Sequence, residues 1–235
     1  MGVYSKKDFK KLNVDINKLV NVNSNITNSI IFRYNDIILK KYWWYTDYAI
    51  DEEVFELLSN VNNKHLIKLY DMFIIIDDVD YSKEYNKFLS GKHSSFIDGY
   101  TAKYYQNDID NPLLEKTHFL LQNIEELKEL FDIITKKHIV MKDVKVENSI
   151  IRKDGIVIID PDYYEFSDLS EKIIKRKNYK ELFNLIKTIF DRYYIDKNEQ
   201  LKSFFKELNN INSLDAIEQV EKSLKKVKSP ICLFK

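Results

Sequence analysis

The stretch HIVMKDVKVENSIIRKDGIVIIDPDYYEF, His138 to Phe166, decides how this chain is read. Two apolar runs, Ser149–Ile151 and Ile156–Ile159, are joined by a turn containing Gly155, which predicts a small hairpin. Asp160 ends the second run and so projects from the edge of a small sheet. Asp143 and Asn148 precede the first run and flank a loop. Lys145 stands two positions after Asp143, and in extended backbone the two side chains share a direction.

The residue types at these positions imply a chemistry. Asn148 and Asp160 are oxygen donors on either side of the expected hairpin, so they can converge on one Mg²⁺. That ion prefers hard oxygen ligands, with few protein groups and the rest from phosphates and water. Asp143 would then face an acceptor hydroxyl, and Lys145 would neutralise charge on a γ-phosphate.

Outward from this block, Leu113–Lys137 has helical periodicity, with Leu114, Phe119, Leu120, Ile124, Leu127, Leu130, Phe131 and Ile134 apolar. Further helices are expected at about 178–194, 197–209 and 213–226. The N-terminal part is richer in strand signals. Leu19–Val22, Ser29–Tyr34, Asp36–Tyr42, Leu66–Asp77 and Phe96–Tyr105 have β character, and Asn35-Asp36 suits a tight turn. Asp51 suits the N-cap of a helix reaching about Asn60, with Val54, Leu57 and Leu58 as its apolar stripe. The polar stretch 79–95 is expected to be a loop or insertion. Strands with one helix, then helices carrying one hairpin, make an α+β pattern with two lobes.

The block resembles the catalytic loop and metal-binding segment of the protein kinase superfamily, H-R-D-x-K-x-x-N followed by D-F-G. Asp143, Lys145 and Asn148 match at the family's mutual spacing, and Asp160 stands where its metal-binding Asp belongs. The resemblance covers roughly residues 18–195. It implies a single kinase-like domain, with a small β-rich N-terminal lobe over about 1–102 and a reduced helical lobe over about 106–235. Ile37-Ile38-Leu39-Lys40 resembles the V-A-I-K strand, which makes Lys40 the candidate for the α/β-phosphates of ATP, with Lys41 its competitor. Glu53 would pair with Lys40; Glu52 and Glu56 are alternatives. GYTAKYY, Gly99–Tyr105, falls where adenine would meet the backbone near Lys103 to Tyr105. By this resemblance the cofactors are ATP and Mg²⁺, or Mn²⁺. The Lys at 145 resembles the serine/threonine-specific version, with a protein hydroxyl as acceptor.

Departures from the family pattern keep other readings open. Met141 and Lys142 replace His and Arg, Pro161-Asp162 replaces Phe-Gly, and no Ala-Pro-Glu follows. The turn at 23–28 lacks glycine. A pseudokinase acting as a binding module, and a small-molecule kinase of the aminoglycoside or choline kinase type, are the alternatives. Asp162 is either a second metal contact or a turn former.

Composition narrows the field. Lys+Arg and Asp+Glu both number 37, so the net charge is zero and nucleic acid is not an expected partner. One cysteine, Cys232, excludes an internal disulfide and a multi-Cys zinc site. No run is long enough to span a membrane, and the start lacks a secretory h-region, so a cytoplasmic location is expected. Trp43-Trp44 and His65, His93, His118 and His138 are expected to be packing or surface groups.

Overall fold

The computed structural model describes residues 2–5, 18–22, 29–42, 49–76, 99–106, 117–193 and 199–226. The turn at 23–28, Trp43-Trp44, the stretch 79–95, His93 and Cys232 lie outside the described residues. The chain forms two compact units, Met1–Asn60 with Ile67–Tyr105, and Val61–Leu66 with Gln106–Lys235.

The first unit is a sheet with one helix. Its strands are β1 (Gly2–Ser5), β2 (Val20–Asn21), β3 (Ser29–Tyr34), β4 (Ile37–Tyr42), β5 (Leu69–Ile76) and β6 (Gly99–Lys103). They lie in the order β1-β5-β6-β4-β3-β2. All pairs are antiparallel except β1 with β5. The β3–β4 hairpin turns at Asn35-Asp36, where Asn35 takes the left-handed conformation that asparagine tolerates, at φ 54°. Helix α1 (Glu52–Ser59) starts where the Asp51 carboxylate accepts from the amides of Glu53 and Val54. It buries Val54, Phe55 and Leu58, each contributing about 1.5–3 kcal/mol relative to exposure. Phe55 meets Tyr100 of β6 with ring centroids 5.9 Å apart.

The second unit is mainly helical. Helix α2 (Thr117–Lys136) buries Phe119, Leu120, Ile124, Leu127, Leu130, Phe131 and Ile134, the stripe expected from periodicity. Against it pack α3 (Glu171–Tyr193) and α5 (Ser213–Leu224), with α4 (Glu199–Leu208) between them in the chain. Strands β8 (Ser149–Arg152) and β9 (Gly155–Ile158) form the expected hairpin. β9 is wholly buried, and on its other side Ile158 bridges Leu66 in parallel. Two further strands, β7 (Ile139–Val140) and β10 (Glu165–Phe166), pair antiparallel.

Helix α3 begins about seven residues before its expected start, because Lys172, Lys175, Arg176 and Lys177 hide the onset of its apolar stripe. Strands β7 and β10, of two residues each, are too short to leave a periodic signal.

Candidate functional site

Strand β7 leads out of α2 through His138, whose positive φ of 59° turns the chain. Four residues after the turn residue's neighbour Ile139, the chain reverses again at Asp143, at φ 57°. Non-glycine residues rarely adopt this geometry, although Asp pays less than most. What holds the loop is Asn178 of α3, which is fully buried. Its Oδ1 accepts from the Met141 amide at 2.8 Å, and its Nδ2 donates to the Ile139 carbonyl at 2.9 Å and to Thr135 Oγ1 at 3.0 Å. One helical turn on, Glu181 Oε2 accepts from the Val144 amide at 3.2 Å. The backbone on both sides of Asp143 is therefore fastened to one helix.

The loop brings three predicted residues together. Lys145 Nζ donates to Asp143 Oδ1 at 2.7 Å, and Asn148 Nδ2 donates to Asp143 Oδ2 at 2.8 Å and to the Asp143 carbonyl at 2.9 Å. The hydrogen bond from Lys145 to Asp143 raises the pKa of the amine, so Lys145 stays cationic. Asn148 closes a single 3₁₀ turn, Val146–Asn148, and leads into β8.

The hairpin then supplies Asp160. The Ile159 amide donates to the Asn148 carbonyl at 2.9 Å, one pair beyond the β8–β9 ladder. Asp160 is the next residue, in left-handed geometry at φ 63°, and Pro161 follows it into a second 3₁₀ turn, Pro161–Tyr163. The buried Tyr164 hydroxyl has no hydrogen-bond partner among the described residues. Its pKa is pushed up by burial first, and then by the carboxylates of Asp160, Glu181 and Asp143. Burial also raises the Glu181 carboxyl, opposed by the hydrogen bond from Val144 and by the Lys180 cation, with Asp143 adding the smallest push upward.

The donor set suits a hard divalent ion. With its nitrogen committed to Asp143, the Asn148 amide has its oxygen as the end that could take a cation. Asn148 and Asp160 could supply two oxygen donors, the number with which Mg²⁺ is commonly bound when phosphates and water complete its shell. No group of three or more His, Cys, Asp or Glu among the described residues forms a metal cage of its own.

The other candidates lie in the first unit. Lys40 is 4 % exposed, on β4, with its Nζ 5.8 and 5.9 Å from the ring centroids of Tyr42 and Tyr100. Lys41, facing the other way, is half-buried. Glu53 and Glu56 are exposed on α1 and Glu52 is half-buried. Glu53 stands exposed in the first turn of α1, where its amide joins the Asp51 cap. The Lys103 amide donates to the Lys68 carbonyl at 2.9 Å, so that donor is used inside the sheet. The Lys103 amine lies 5.6 Å from the Tyr105 ring centroid.

Sequence reasoning missed Asn178, Glu181 and Tyr164. They lie 37, 37 and 21 positions from Met141, Val144 and Asp143, and no local pattern marks them.

Comparison with solved structures gives the architecture its relatives. The kinase PK-1 of Cydia pomonella granulovirus superposes with a TM-score of 0.51 over 78% of this chain and 74% of that one, at 14% identity. The chain has a protein-kinase-like fold. No protein-family model and no curated protein matches the sequence. The kinase-like fold accounts for a sheet-rich and a helical unit within one chain. Function must still be argued from the site, because one fold hosts many activities.

Proposed function

We propose that the chain is an ATP- and Mg²⁺-dependent phosphotransferase that moves a γ-phosphoryl group to a hydroxyl, with Ser or Thr of a protein as acceptor. The observation that carries this is the hydrogen-bonded unit of Asp143, Lys145 and Asn148, set beside the hairpin that ends at Asp160. Each Asp143 oxygen keeps a lone pair beyond its present bond, so the carboxylate can also accept from a hydroxyl. As the acceptor oxygen bonds to phosphorus, the bond from phosphorus to the β–γ bridging oxygen breaks. The acceptor proton passes to Asp143. Lys145 offsets charge on the transferred group. Asn148 and Asp160 would hold Mg²⁺, which neutralises phosphate charge when bound. Lys40 is the proposed grip on the α/β-phosphates, and Lys103 and Tyr105 mark the adenine segment. A cytoplasmic setting, where ATP is abundant, belongs to the same reading. Among the described residues, no helix is long and apolar enough to cross a membrane.

The test is Asp143→Asn. Loss of a general base costs about 10²–10⁴-fold in rate, so transfer from labelled ATP should fall by that factor while ATP affinity changes little. A variant that transfers at the wild-type rate removes Asp143 from the mechanism. The exposed Glu53 favours a second reading, a module that binds nucleotide without turning it over. Absence of labelled product and free phosphate from the wild type, with ATP bound, would select it.

A further inference from the structure

The exposed face of α3 carries a charge arrangement that the fold does not require. Lys172, Ile173, Arg176, Lys177 and Lys180 are all exposed. At about 100° per residue they lie on one side of the helix, opposite the buried Ile174, Asn178 and Leu182. Among the described residues none of the four cations has an ion-pair partner, whereas neighbouring Lys175 is bound to Asp132 at 2.8 Å. Lys172, Arg176 and Lys180 repeat at i, i+4 and i+8, a like-charge ladder that destabilises a helix. Lys172 also stands in the first turn of α3, where the helix dipole disfavours cations. Three apolar side chains are exposed nearby in sequence, Phe166 at 41 %, Leu169 at 38 % and Ile173 at 44 %.

This face belongs to the helix that fastens the Asp143 loop, on the side turned away from Asn178. Phe166 belongs to β10, which pairs with β7, two residues ahead of Met141 and the Asp143 loop. Asn178 and Glu181, which fasten that loop, are on the same helix as the cations. An anionic partner would relieve the repulsion, and an apolar side chain in it would cover Ile173 and its neighbours. From Lys172 to Lys180 the helix rises about 12 Å, the reach of some four extended residues.

We propose that this face of α3 docks an acidic segment of the acceptor polypeptide, one that carries a large apolar side chain beside its Asp and Glu residues. The proposal rests on the phosphotransfer reading and assigns it a substrate class. The zero net charge of the chain and the exposed Asp168 and Glu171 beside the cations favour a short acidic peptide over a long polyanion or an anionic bilayer.

The test uses the full chain and a labelled peptide of Asp and Glu residues with one Leu and one Ser. Binding is read by fluorescence anisotropy, without ATP. The peptide should bind at least tenfold tighter than its Asn/Gln counterpart and tighter than its Leu→Ser version. The triple variant Lys172→Glu, Arg176→Glu, Lys180→Glu should lose at least tenfold in affinity. It should keep the wild-type circular dichroism and the wild-type rate of ATP hydrolysis. The milder Lys→Gln and Arg→Gln set should fall between. Equal binding of acidic and neutral peptides, or an unchanged triple variant, overturns the proposal. So does tighter binding to duplex DNA or to phosphatidylserine vesicles at the same salt. If the wild type transfers phosphate to no acceptor, the phosphotransfer reading fails with the substrate assignment, and the binding data alone then report an acidic-peptide module.

Discussion

At the scale of single residues, Asn178 does more for the loop than any group named from the sequence. One buried amide answers a backbone N–H, a backbone carbonyl and a hydroxyl. Removing it strands buried polar groups, each costing about 1–3 kcal/mol. Asn178→Ala should therefore lower the unfolding free energy by roughly 2–4 kcal/mol in a denaturant titration, and a loss under 1 kcal/mol would contradict this account. Glu126 offers a pH-dependent case. Burial favours its neutral form, but donors on Lys64, Gln122 and His65 outweigh burial and hold the carboxyl at about 2, below its ordinary value of 4.5. A lowered folded-state value means that its stabilisation is complete above pH 4.5 and is lost as pH falls towards 2. Glu126→Gln should flatten the stability profile in that acid window; an unaltered profile would show that the cluster does not couple to folding.

At the scale of elements, the β8–β9 hairpin was legible because its determinants are local. Asp143, Lys145 and Asn148 fall within six positions, and a four-residue strand returns the chain from Gly155 to Asp160. Local spacing and a turn glycine were sufficient to expect that group. The glycine is required on two grounds. Its φ is +137°, and a Cβ there would lie 2.8 Å from His65 Cε1 and 3.0 Å from Asn123 Oδ1. Neither neighbour can yield easily. His65 is held by the Ile156 carbonyl at 2.8 Å and by Glu126 at 2.7 Å, and Asn123 bridges the Phe119 carbonyl and the Ile156 amide. Gly155→Ala should cost about 1–3 kcal/mol from the backbone alone, measurable as a lower melting temperature. Tolerance of alanine would mean that the His65–Asn123 clamp is loose. The fasteners Asn178 and Glu181 escaped notice because tertiary packing, not periodicity, aims them. The Lys40–Glu53 pair was implied by the family resemblance, with Glu52 and Glu56 as alternatives, and the Asp51 cap fixes Glu53 in the exposed first turn of α1.

At the scale of the whole molecule, the two-lobed α+β class was legible because strand-like and helix-like periodicities occupy different parts of the chain. The parallel pairing of β1 with β5 was not, since its partners lie about seventy residues apart. The phosphotransfer reading has a global readout. A ligand that binds only the folded chain stabilises it by about 2.7 kcal/mol at a hundred times its dissociation constant. For a chain of this length that is roughly 5–10 °C in melting temperature. ATP with Mg²⁺ should produce such a shift, ATP with a chelator a smaller one, and Asn148→Ala should erase the difference. Equal shifts with and without the metal would remove Asn148 and Asp160 as its ligands.

The short passage Val61–Leu66 lies between α1 and β5 in the chain yet belongs to the helical unit, where His65 and Leu66 complete the outer margin of β9. A dissection at residue 105 would thus leave the carboxyl-terminal fragment with a bare, wholly apolar strand margin, an invitation to fibrillar or swapped association. Split-protein designs would need to carry those six residues along with the helices they serve.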